Sequence, residues 1–431
     1  MPPKRAAQDV QVPKKKKRRK TNRNSGPKGN HLPVEVVEVL VGFIRVGTTY
    51  SKDMLSLARV EQSWTTTALT MLYTNVQFST SKAIESYVEL VTKKPMLGKL
   101  ARTMFLVSMN GPPNCNELLT HLVGFCPNIT SFYISKSPSQ WMDDDVLNAM
   151  YPKMKNLTRL TFRNRELVHG KAFIKACKEW RQLSYLDLTD VLNIDEHQYV
   201  EILKCFPQLK VFRAAHQSYN CTSGDHISDS CLRAIALHIP NLKALEFVNC
   251  PRISNAPLLN CFATKMAQSL EYLTLSGCRQ VSGIILAKVI EACPALRFVN
   301  VSRSAFNDAA LTYLAGVRAP LNDPHNEIPQ RIGRYITRFA LSHCINVTMN
   351  PFHAFAKVLG SNIQRGDVHT CIIYLQKQLT IYRRWKRLEK KYPGLLLDSI
   401  REAFKIDQVT GVFVPEAGAE YADHKEADGT N

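Results

Sequence analysis

The sequence contains none of the short motifs that commonly identify an enzyme. Its 431 residues include no phosphate-binding loop, no Gly-x-Gly-x-x-Gly, no Gly-x-Ser-x-Gly and no His-Glu-x-x-His. The twelve histidines are dispersed. The acidic run Asp143–Asp145 precedes a helical segment, where a helix cap is more common than a metal site. We therefore expect a non-enzymatic chain with no catalytic residues, no metal and no cofactor.

Paired cysteines and long apolar runs are also missing. The twelve cysteines are scattered, without a Cys-x-x-Cys pair or a Cys/His cluster at zinc spacing, so we expect neither a disulfide framework nor a zinc site. No apolar run approaches the length of a transmembrane helix, and no apolar core follows the basic N-terminal segment as in a secretory signal. These absences predict an intracellular chain with reduced thiols and no membrane partner, and the 45% hydrophobic content predicts a folded core.

Acidic residues are scarce at the N-terminus, which carries half of the net charge of +20. Residues 1–28 hold eleven Lys or Arg against Asp9 alone, a net charge of +10. This composition predicts that residues 1–30 form a disordered basic segment. One cluster in it resembles a nuclear-import signal that an import receptor would bind: Lys14, Lys15, Lys16, Lys17, Arg18, Arg19 and Lys20. The alternative is a nonspecific phosphate-binding arm.

Residues 31–78 carry a helical pattern with more apolar surface than such a short module can bury. Pro33 suits a first helical turn, and Glu35 places a negative charge at the positive end of the helix. One apolar stripe comprises Val36, Val39, Leu40 and Phe43, and a second comprises Val34, Val37, Val41 and Ile44. One stripe can pack inward while the other binds a partner.

The order of motifs in this segment closely resembles an F-box. The motifs are Leu32-Pro33-x-Glu35, Phe43-Ile44, Leu55-Ser-Leu57-Ala-Arg-Val60, Ser63-Trp64, Leu72-Tyr73 and Val76-x-Phe78. The resemblance implies that the segment binds the Skp adaptor, and through it the cullin, of an SCF-type ubiquitin ligase. It assigns the adaptor contact to Leu32, Pro33, Val37, Val41, Ile44, Leu55 and Trp64. The alternative is a helical hairpin that caps a larger domain.

A second pattern, Leu-x-x-Leu-x-Leu, recurs from about Leu100 to Asn350. Its copies begin at Ile129, Leu157, Leu183, Leu209, Leu242, Leu270, Leu296 and Ile336. The intervals are 28, 26, 26, 33, 28, 26 and 40 residues, and most fall in the range of leucine-rich repeats. Alternation within each copy predicts a short strand, and the periodic stretch that follows predicts a helix.

Three copies have a cysteine eight positions after their first residue, at Cys250, Cys278 and Cys344. The pattern resembles the cysteine-containing class of leucine-rich repeats, which is often joined to an F-box. We interpret these cysteines as small apolar residues that fill the turn between strand and helix. A redox or metal role is the alternative.

In a solenoid the strands line the concave face, where the residues between the buried leucines point to solvent. The residues predicted there are Tyr133, Arg159, Arg163, Tyr185, Asp187, Arg213, Glu246, Tyr272, Phe298, Asn300 and Arg338. Tyr and Arg are common binding anchors, so we expect this face to bind a protein substrate, with Tyr272 and Phe298 forming an aromatic patch. The alternative is that some of them are merely solvated strand residues.

The C-terminal part is expected to be helical. Phe352–Leu359 and Val368–Tyr392 have helical spacing, the second with a basic face. Residues 351–414 are therefore predicted to cap the open end of the solenoid, and a patch for nucleic acid or an acidic partner is the alternative. The turn-rich insertion Pro320–Pro329 is predicted to project as a loop, and residues 415–431 to be a disordered tail.

These patterns together predict an α/β chain: a helical F-box at residues 31–78, a leucine-rich-repeat solenoid (horseshoe) at 79–350, and a helical cap. The resemblance implies a substrate-recognition adaptor of an SCF ubiquitin ligase, nuclear and also cytoplasmic, whose partners are Skp, cullin, a protein substrate and an import receptor. Nucleic acid is not the expected partner. The alternative is a nuclear repeat scaffold or a nucleic-acid-associated protein.

Overall fold

The structure is a computed structural model of the chain. It describes residues 52, 55–56, 59, 62–110, 115–135, 144–163, 170–191, 194–215, 227–316, 335–344, 346–364, 371–374, 390–398, 404–406 and 413–415. The chain divides into two compact units, residues 1–69 and residues 70–431. Among the described residues, none of the helices combines the length and the apolar character that crossing a bilayer requires.

The second unit alternates strands and helices along the chain. The helices are α1 (Gln62–Thr74, which begins in the first unit), α2 (Ser81–Lys93), α3 (Pro95–Leu100), α4 (Cys115–Phe125), α5 (Asp144–Met150), α6 (Gly170–Glu179), α7 (Glu196–Lys204), α8 (Asp229–His238), α9 (Asn255–Phe262), α10 (Met266–Ser269), α11 (Gly283–Glu291), α12 (Asp308–Leu314) and α13 (Met349–Gln364). The strands are β1 (Asn75–Thr80), β2 (Thr103–Asn110), β3 (Ser131–Ser135), β4 (Arg159–Arg163), β5 (Tyr185–Asp187), β6 (Val211–Ala215), β7 (Ala244–Val248), β8 (Tyr272–Ser276), β9 (Phe298–Asn300), β10 (Arg338–Ala340), β11 (Cys371–Tyr374) and β12 (Leu395–Asp398), followed by the antiparallel pair β13 (Phe404–Ile406) and β14 (Phe413–Pro415).

Strands β1 to β12 form one sheet in chain order, and each pairs in parallel with the next. The eight repeat starts predicted from the sequence are confirmed, because β3 to β10 each begin two residues after the predicted first residue. The register is constant from β3 to β10, so the first residues of neighbouring strands there are partners, as Tyr272 is of Phe298. Equivalent positions of the repeats therefore form rows across the sheet.

The second residue of each strand from β1 to β10 points into a core shared with the helices. This row includes Leu160, Leu186, Phe212, Leu245 and Leu273, which are all buried in one continuous cluster. Full burial of one such side chain stabilises the fold by about 1.5–3 kcal/mol. Since each repeat contributes only part of this core, it depends on its neighbours for burial.

A left-handed residue recurs at the same position after five of the strands. Asp190, Asn249, Gly277, Arg303 and His343 have φ between 55° and 70° and lie five residues after the first residue of their strand. The next residue in three of these repeats is one of the three cysteines that the sequence pattern singles out. All three thiols are buried.

These turn cysteines contact backbone carbonyls of the preceding repeat. The Sγ of Cys344 lies 3.3 Å from the Val301 oxygen, and the Sγ of Cys278 lies 3.8 Å from the Phe247 oxygen. Burial raises the pKa of the Cys344 thiol to about 11. The geometry agrees with small side chains that fill the turn.

The helix starts of consecutive repeats are also tied together. Asp229, the first residue of α8, accepts hydrogen bonds from the backbone N–H and the hydroxyl of Ser254, at 2.8 and 2.6 Å. Asp308 accepts the same two bonds from Thr348, both at 2.6 Å. Each bond joins the start of one helix to the residue just before the next helix, so it satisfies polar groups that the helix itself leaves unpaired.

The sheet extends beyond the predicted repeat boundaries at both ends. Val76 and Phe78, predicted as the end of the helical module, are buried residues of strand β1. The helix expected over Val368–Tyr392 is wrong for Cys371–Tyr374, which form strand β11. Two adjacent isoleucines and a tyrosine favour a strand, and their spacing also fits a helical face. The helical prediction is confirmed for Phe352–Leu359, which lie in α13.

Candidate functional site

The first and third residues of strands β1 to β10 face away from the helices, because side chains alternate along a strand. We call this surface the outer strand face. It contains, in register, the predicted binding residues from Arg159 on β4 to Arg338 on β10. Its side chains separate into a charged centre and an aromatic patch toward the C-terminal strands.

The charged centre alternates cations and anions over four strands: Asp187, Arg213 and Glu246 lie in one row, and Arg163 lies two positions beyond that row on β4. We call Arg163, Asp187, Arg213 and Glu246 the central network. Arg163 donates to Asp187 Oδ2 from Nη2 at 2.8 Å and from Nε at 3.0 Å. Arg213 binds Glu246 with two parallel bonds, Nε to Oε2 at 2.7 Å and Nη2 to Oε1 at 2.8 Å. Such paired bonds to a carboxylate fix both the position and the orientation of the arginine.

Asp187 is the midpoint of this network and its side chain has no exposed surface. Its Oδ2 also lies 3.4 Å from Arg213 Nη1, and its Oδ1 accepts the Thr189 hydroxyl at 2.6 Å and the Thr189 N–H at 3.1 Å. Burial alone would raise the pKa of Asp187, but the two guanidinium groups and these hydrogen bonds outweigh it and lower that pKa. The carboxylate is therefore held ionised.

Tyr185, the first residue of strand β5, lies beside the central network. Its side chain is buried, and the charges of Asp187, Arg213 and Arg163 act on its hydroxyl. Burial and the Asp187 carboxylate raise the pKa of Tyr185, while the two arginines work against this rise. The phenol therefore stays protonated and can donate a hydrogen bond.

The aromatic patch predicted from the sequence is present. The rings of Tyr272 and Phe298 have centroids 6.5 Å apart and planes inclined by 34°. Tyr272 is half-buried and packs against two small apolar clusters, Tyr185 with Ala244 on one side and Phe298 with Ala340 on the other. It is therefore the contact between two small apolar clusters of the outer strand face.

Cations surround this aromatic pair. Lys243 and Arg297 are exposed and immediately precede strands β7 and β9, and Arg338 is half-buried beside Phe298. Lys243 Nζ lies 2.8 Å from Glu271 Oε1. Burial and Glu271 raise the pKa of the Tyr272 hydroxyl, while Arg297, Arg338 and Lys243 act in the opposite direction. All four charged groups thus act on one ring.

The expectation that all of the binding residues point to solvent is wrong for four of them. Tyr185, Asp187, Arg213 and Phe298 are at most 5% exposed. Bulky neighbours in the same row and the ion pairs across strands cover these side chains, which alternation along a single strand cannot reveal. The remaining members keep a part of their surface exposed: Tyr133, Arg159, Arg163, Glu246, Tyr272, Asn300 and Arg338.

Sequence reasoning missed three contributors to this face. Thr189 lies beyond the end of strand β5 and donates its hydroxyl hydrogen bond to Asp187. Lys243 and Arg297 lie directly before strands β7 and β9, and the prediction included only residues within the strands. The signal for the two cations is a Lys or Arg directly before the first strand residue. Thr189 has no comparable signal, because its role depends on the turn geometry.

Two of the seven residues predicted to bind the adaptor are described. Leu55 is 44% exposed, and Trp64 is half-buried in α1. Leu32, Pro33, Val37, Val41 and Ile44 lie outside the described residues, as do the import-signal residues Lys14 to Lys20 and the insertion Pro320–Pro329. Within the part of the chain that the structure describes, no group of three or more His, Cys, Asp or Glu side chains is placed to hold a metal ion.

Comparison with known proteins gives one related sequence and several similar structures. No protein-family model matches the chain. The DNA repair protein rhp7 of Schizosaccharomyces pombe is 26% identical over 188 residues, which cover 43% of this chain and 32% of that protein. The chain thus matches about a third of the length of this curated relative.

The similar structures include repeat proteins. Yeast Rad7, solved in complex with Elc1, has a TM-score of 0.44 at 14% identity, covering 83% of this chain and 99% of that one. The leucine-rich-repeat protein LegL7 of Legionella pneumophila has a TM-score of 0.39 at 15% identity, covering 68% and 93%. An internalin of Listeria monocytogenes has a TM-score of 0.36 at 10% identity, covering 86% and 94%. The chain is an α/β repeat protein of the leucine-rich-repeat type, with one parallel strand per repeat.

Proposed function

We propose that this chain is a non-catalytic, substrate-recognition subunit of a ubiquitin ligase. Its N-terminal helical module binds the Skp adaptor, and its outer strand face binds the protein to be ubiquitinated. The observation that carries the proposal is the outer strand face itself, where arginines, carboxylates and aromatic rings are held in fixed register over neighbouring strands. Such preorganised Tyr and Arg side chains are suited to binding a protein surface.

The adaptor half of the proposal rests on the F-box-like motifs between Leu32 and Phe78. Activity in such a subunit comes from proximity. A target held beside a ubiquitin-conjugating enzyme reacts as if at high local concentration. This role requires two separate binding surfaces and no catalytic group, which agrees with a sequence without enzyme motifs.

Co-purification tests the adaptor contact. The full-length tagged chain is mixed with purified Skp and cullin, and recovery of both is measured. Elc1, the protein crystallised with yeast Rad7, is tested in parallel. We expect the chain to recover Skp and cullin, and the double variant Leu32→Ala, Pro33→Ala to lose them.

The matched control is Leu237→Ala, since Leu237 lies on α8 and its side chain is 77% exposed. It also removes one exposed leucine and should leave recovery unchanged. Failure of the unaltered chain to recover Skp, or equal recovery by the double variant, would contradict the proposed adaptor contact. Recovery of Elc1 alone would replace Skp by Elc1 as the adaptor.

A second candidate function is a nuclear repeat protein associated with DNA repair. It is favoured by the similarity to rhp7, named a DNA repair protein, and by the net charge of +10 in residues 1–28. Retention on DNA that falls steeply as salt is raised would support it. The two functions are compatible if the protein selected for ubiquitination is itself bound to DNA.

A further inference from the structure

The cations around Tyr272 and Phe298 form a surface with a net positive charge. We call Lys243, Glu271, Tyr272, Arg297, Phe298 and Arg338 the Tyr272 patch. It has three cations and one anion, and that anion is already paired with Lys243 at 2.8 Å. Lys243 and Arg297 are exposed just before the N-terminal ends of strands β7 and β9, near the two aromatic rings.

The central network differs from this patch in charge and exposure. Its two arginines are matched by two carboxylates, and its four side chains are at most 14% exposed. A partner that approaches the outer strand face therefore meets a neutral, covered centre and a positive, partly exposed patch. Electrostatic attraction for an anionic partner is concentrated at the patch.

Resting on the proposed function, we propose that the Tyr272 patch binds an acidic peptide segment of the partner protein. A carboxylate of the segment would pair with the exposed Arg297, and an apolar or aromatic side chain would pack on Tyr272. Arginine at a partly desolvated site binds carboxylates in a defined orientation. The half-buried ring offers area that a neighbouring apolar side chain can cover.

The arrangement of charges favours a peptide over single-stranded nucleic acid. A nucleic-acid strand needs a continuous row of cations that follows its phosphates. Here Glu271 interrupts the row of Lys210, Lys243 and Arg297 that precedes the strands, and β6 and β7 start with the apolar residues Val211 and Ala244. A short acidic peptide can bind to the few cations of the Tyr272 patch and needs no continuous row.

Binding of a random copolymer of glutamate and tyrosine tests the proposal with the full-length chain. The basic N-terminal segment also attracts polyanions, so the measured quantity is the ratio between variants that share this segment. We expect Arg297→Glu to weaken binding of the copolymer about tenfold at low salt. Tyr272→Ala should weaken it severalfold, and Tyr272→Phe, which keeps the ring, should restore it.

The matched control is Lys288→Glu, which makes the same charge change at an exposed position of helix α11. It should leave binding unchanged. Equal binding by Arg297→Glu and Lys288→Glu would overturn the proposal. A larger loss for an oligothymidine strand than for the copolymer in Arg297→Glu would also overturn it and assign the patch to nucleic acid.

The outcome is separable from that of the proposed function. If Skp and cullin are recovered but Arg297→Glu binds the copolymer normally, the substrate class is wrong and the ligase role stands. If neither Skp nor Elc1 is recovered but Arg297→Glu binds the copolymer more weakly than Lys288→Glu does, the patch binds acidic peptides in a role other than that of a ligase subunit.

Discussion

Asp187 and Arg213 form a buried ion pair across strands β5 and β6, with Oδ2 and Nη1 3.4 Å apart. Each has a second and closer partner, Arg163 for the aspartate and Glu246 for the arginine. The pair therefore joins two separate ion pairs into one network. Four repeats are connected by it on the face opposite their common core.

Removing the midpoint of this network should destabilise the fold strongly. Asp187→Ala leaves Arg163 without its carboxylate and Arg213 with one partner fewer, and breaking a buried ion pair in this way costs about 3–5 kcal/mol. We expect a loss of that order in the free energy of unfolding from urea titration. Glu201→Ala is the control, because Glu201 pairs with Lys204 on the surface of α7.

The control change should stay within about 0.5 kcal/mol of the unaltered chain, since exposed pairs contribute little. Similar losses for Asp187→Ala and Glu201→Ala would show that the central network is as weakly coupled as a surface pair. The double variant Asp187→Ala, Arg163→Ala should lose less than the sum of its single changes, because the two residues share one interaction.

The same network predicts an acid-dependent loss of stability. The pKa of Asp187 is lowered in the folded chain, and it is about 3.9 in an unfolded one. Folding is therefore favoured while the unfolded aspartate is ionised, and this contribution disappears as pH falls through the folded pKa. Below pH 4, we expect the urea midpoint of the unaltered chain to decrease more steeply with falling pH than the midpoint of Asp187→Asn.

The measurement is the urea midpoint at intervals from about pH 7 to about pH 3 in both proteins. Carboxylates outside the central network contribute equally to both curves, so the difference between the curves reports Asp187 and the network that it joins. Parallel curves would contradict the lowered pKa.

The repeats were predictable because each strand has its own local signal. Leu183 and Leu186 predict β5, and Leu270 and Leu273 predict β8, and each strand begins two residues after the first leucine of its pattern. Strand β11 was missed because Ile372 and Ile373 fit a helix as well as a strand when read alone. Pairing with β10 decides between the two, and pairing is not a local property.

The binding face was predictable in position and only partly in character. Alternation places Asp187 and Arg213 on the correct side of the sheet, but it gives no information on which neighbour lies opposite. The 33-residue interval between the repeats that begin at Leu209 and Leu242 still brings Arg213 beside Glu246, because the register and not the loop length sets the pairing. Asp187 and Arg213 are buried because of ion pairs between neighbouring strands, and the sequence of a single strand cannot predict these contacts.

The start of helix α11 has no space for a side chain. A Cβ on Gly283 would lie 2.7 Å from the Ala305 carbonyl oxygen and 2.8 Å from Asn307 Oδ1. Gly283→Ala should therefore destabilise the fold by about 1–3 kcal/mol, the usual cost of overpacking. The free energy of unfolding measures the effect.

Gly124→Ala is the matched control for this substitution. Gly124 lies in the last turn of α4, and a Cβ there meets only the flexible end of Lys153, at 3.3 Å. The change should be neutral or stabilise by up to about 1 kcal/mol, because alanine restricts the unfolded chain more than glycine. Equal effects at Gly283 and Gly124 would show that the repeat adjusts to admit the extra carbon.

The cysteines should differ in reactivity according to burial. Burial raises the pKa of both Cys231 and Cys344 to about 11. The thiolate is the reactive form, so at pH 8 only roughly one molecule in a thousand has either thiol ionised. Cys205 is half-buried and beside Lys178, which works against the rise in its pKa.

Native-state alkylation followed by mass spectrometry should modify Cys205 well before Cys231 or Cys344, and all three should react at similar rates once urea unfolds the chain. Early modification of Cys344 would mean that the turn after β10 opens in the native state, since neither its pKa nor its exposure would otherwise permit the reaction.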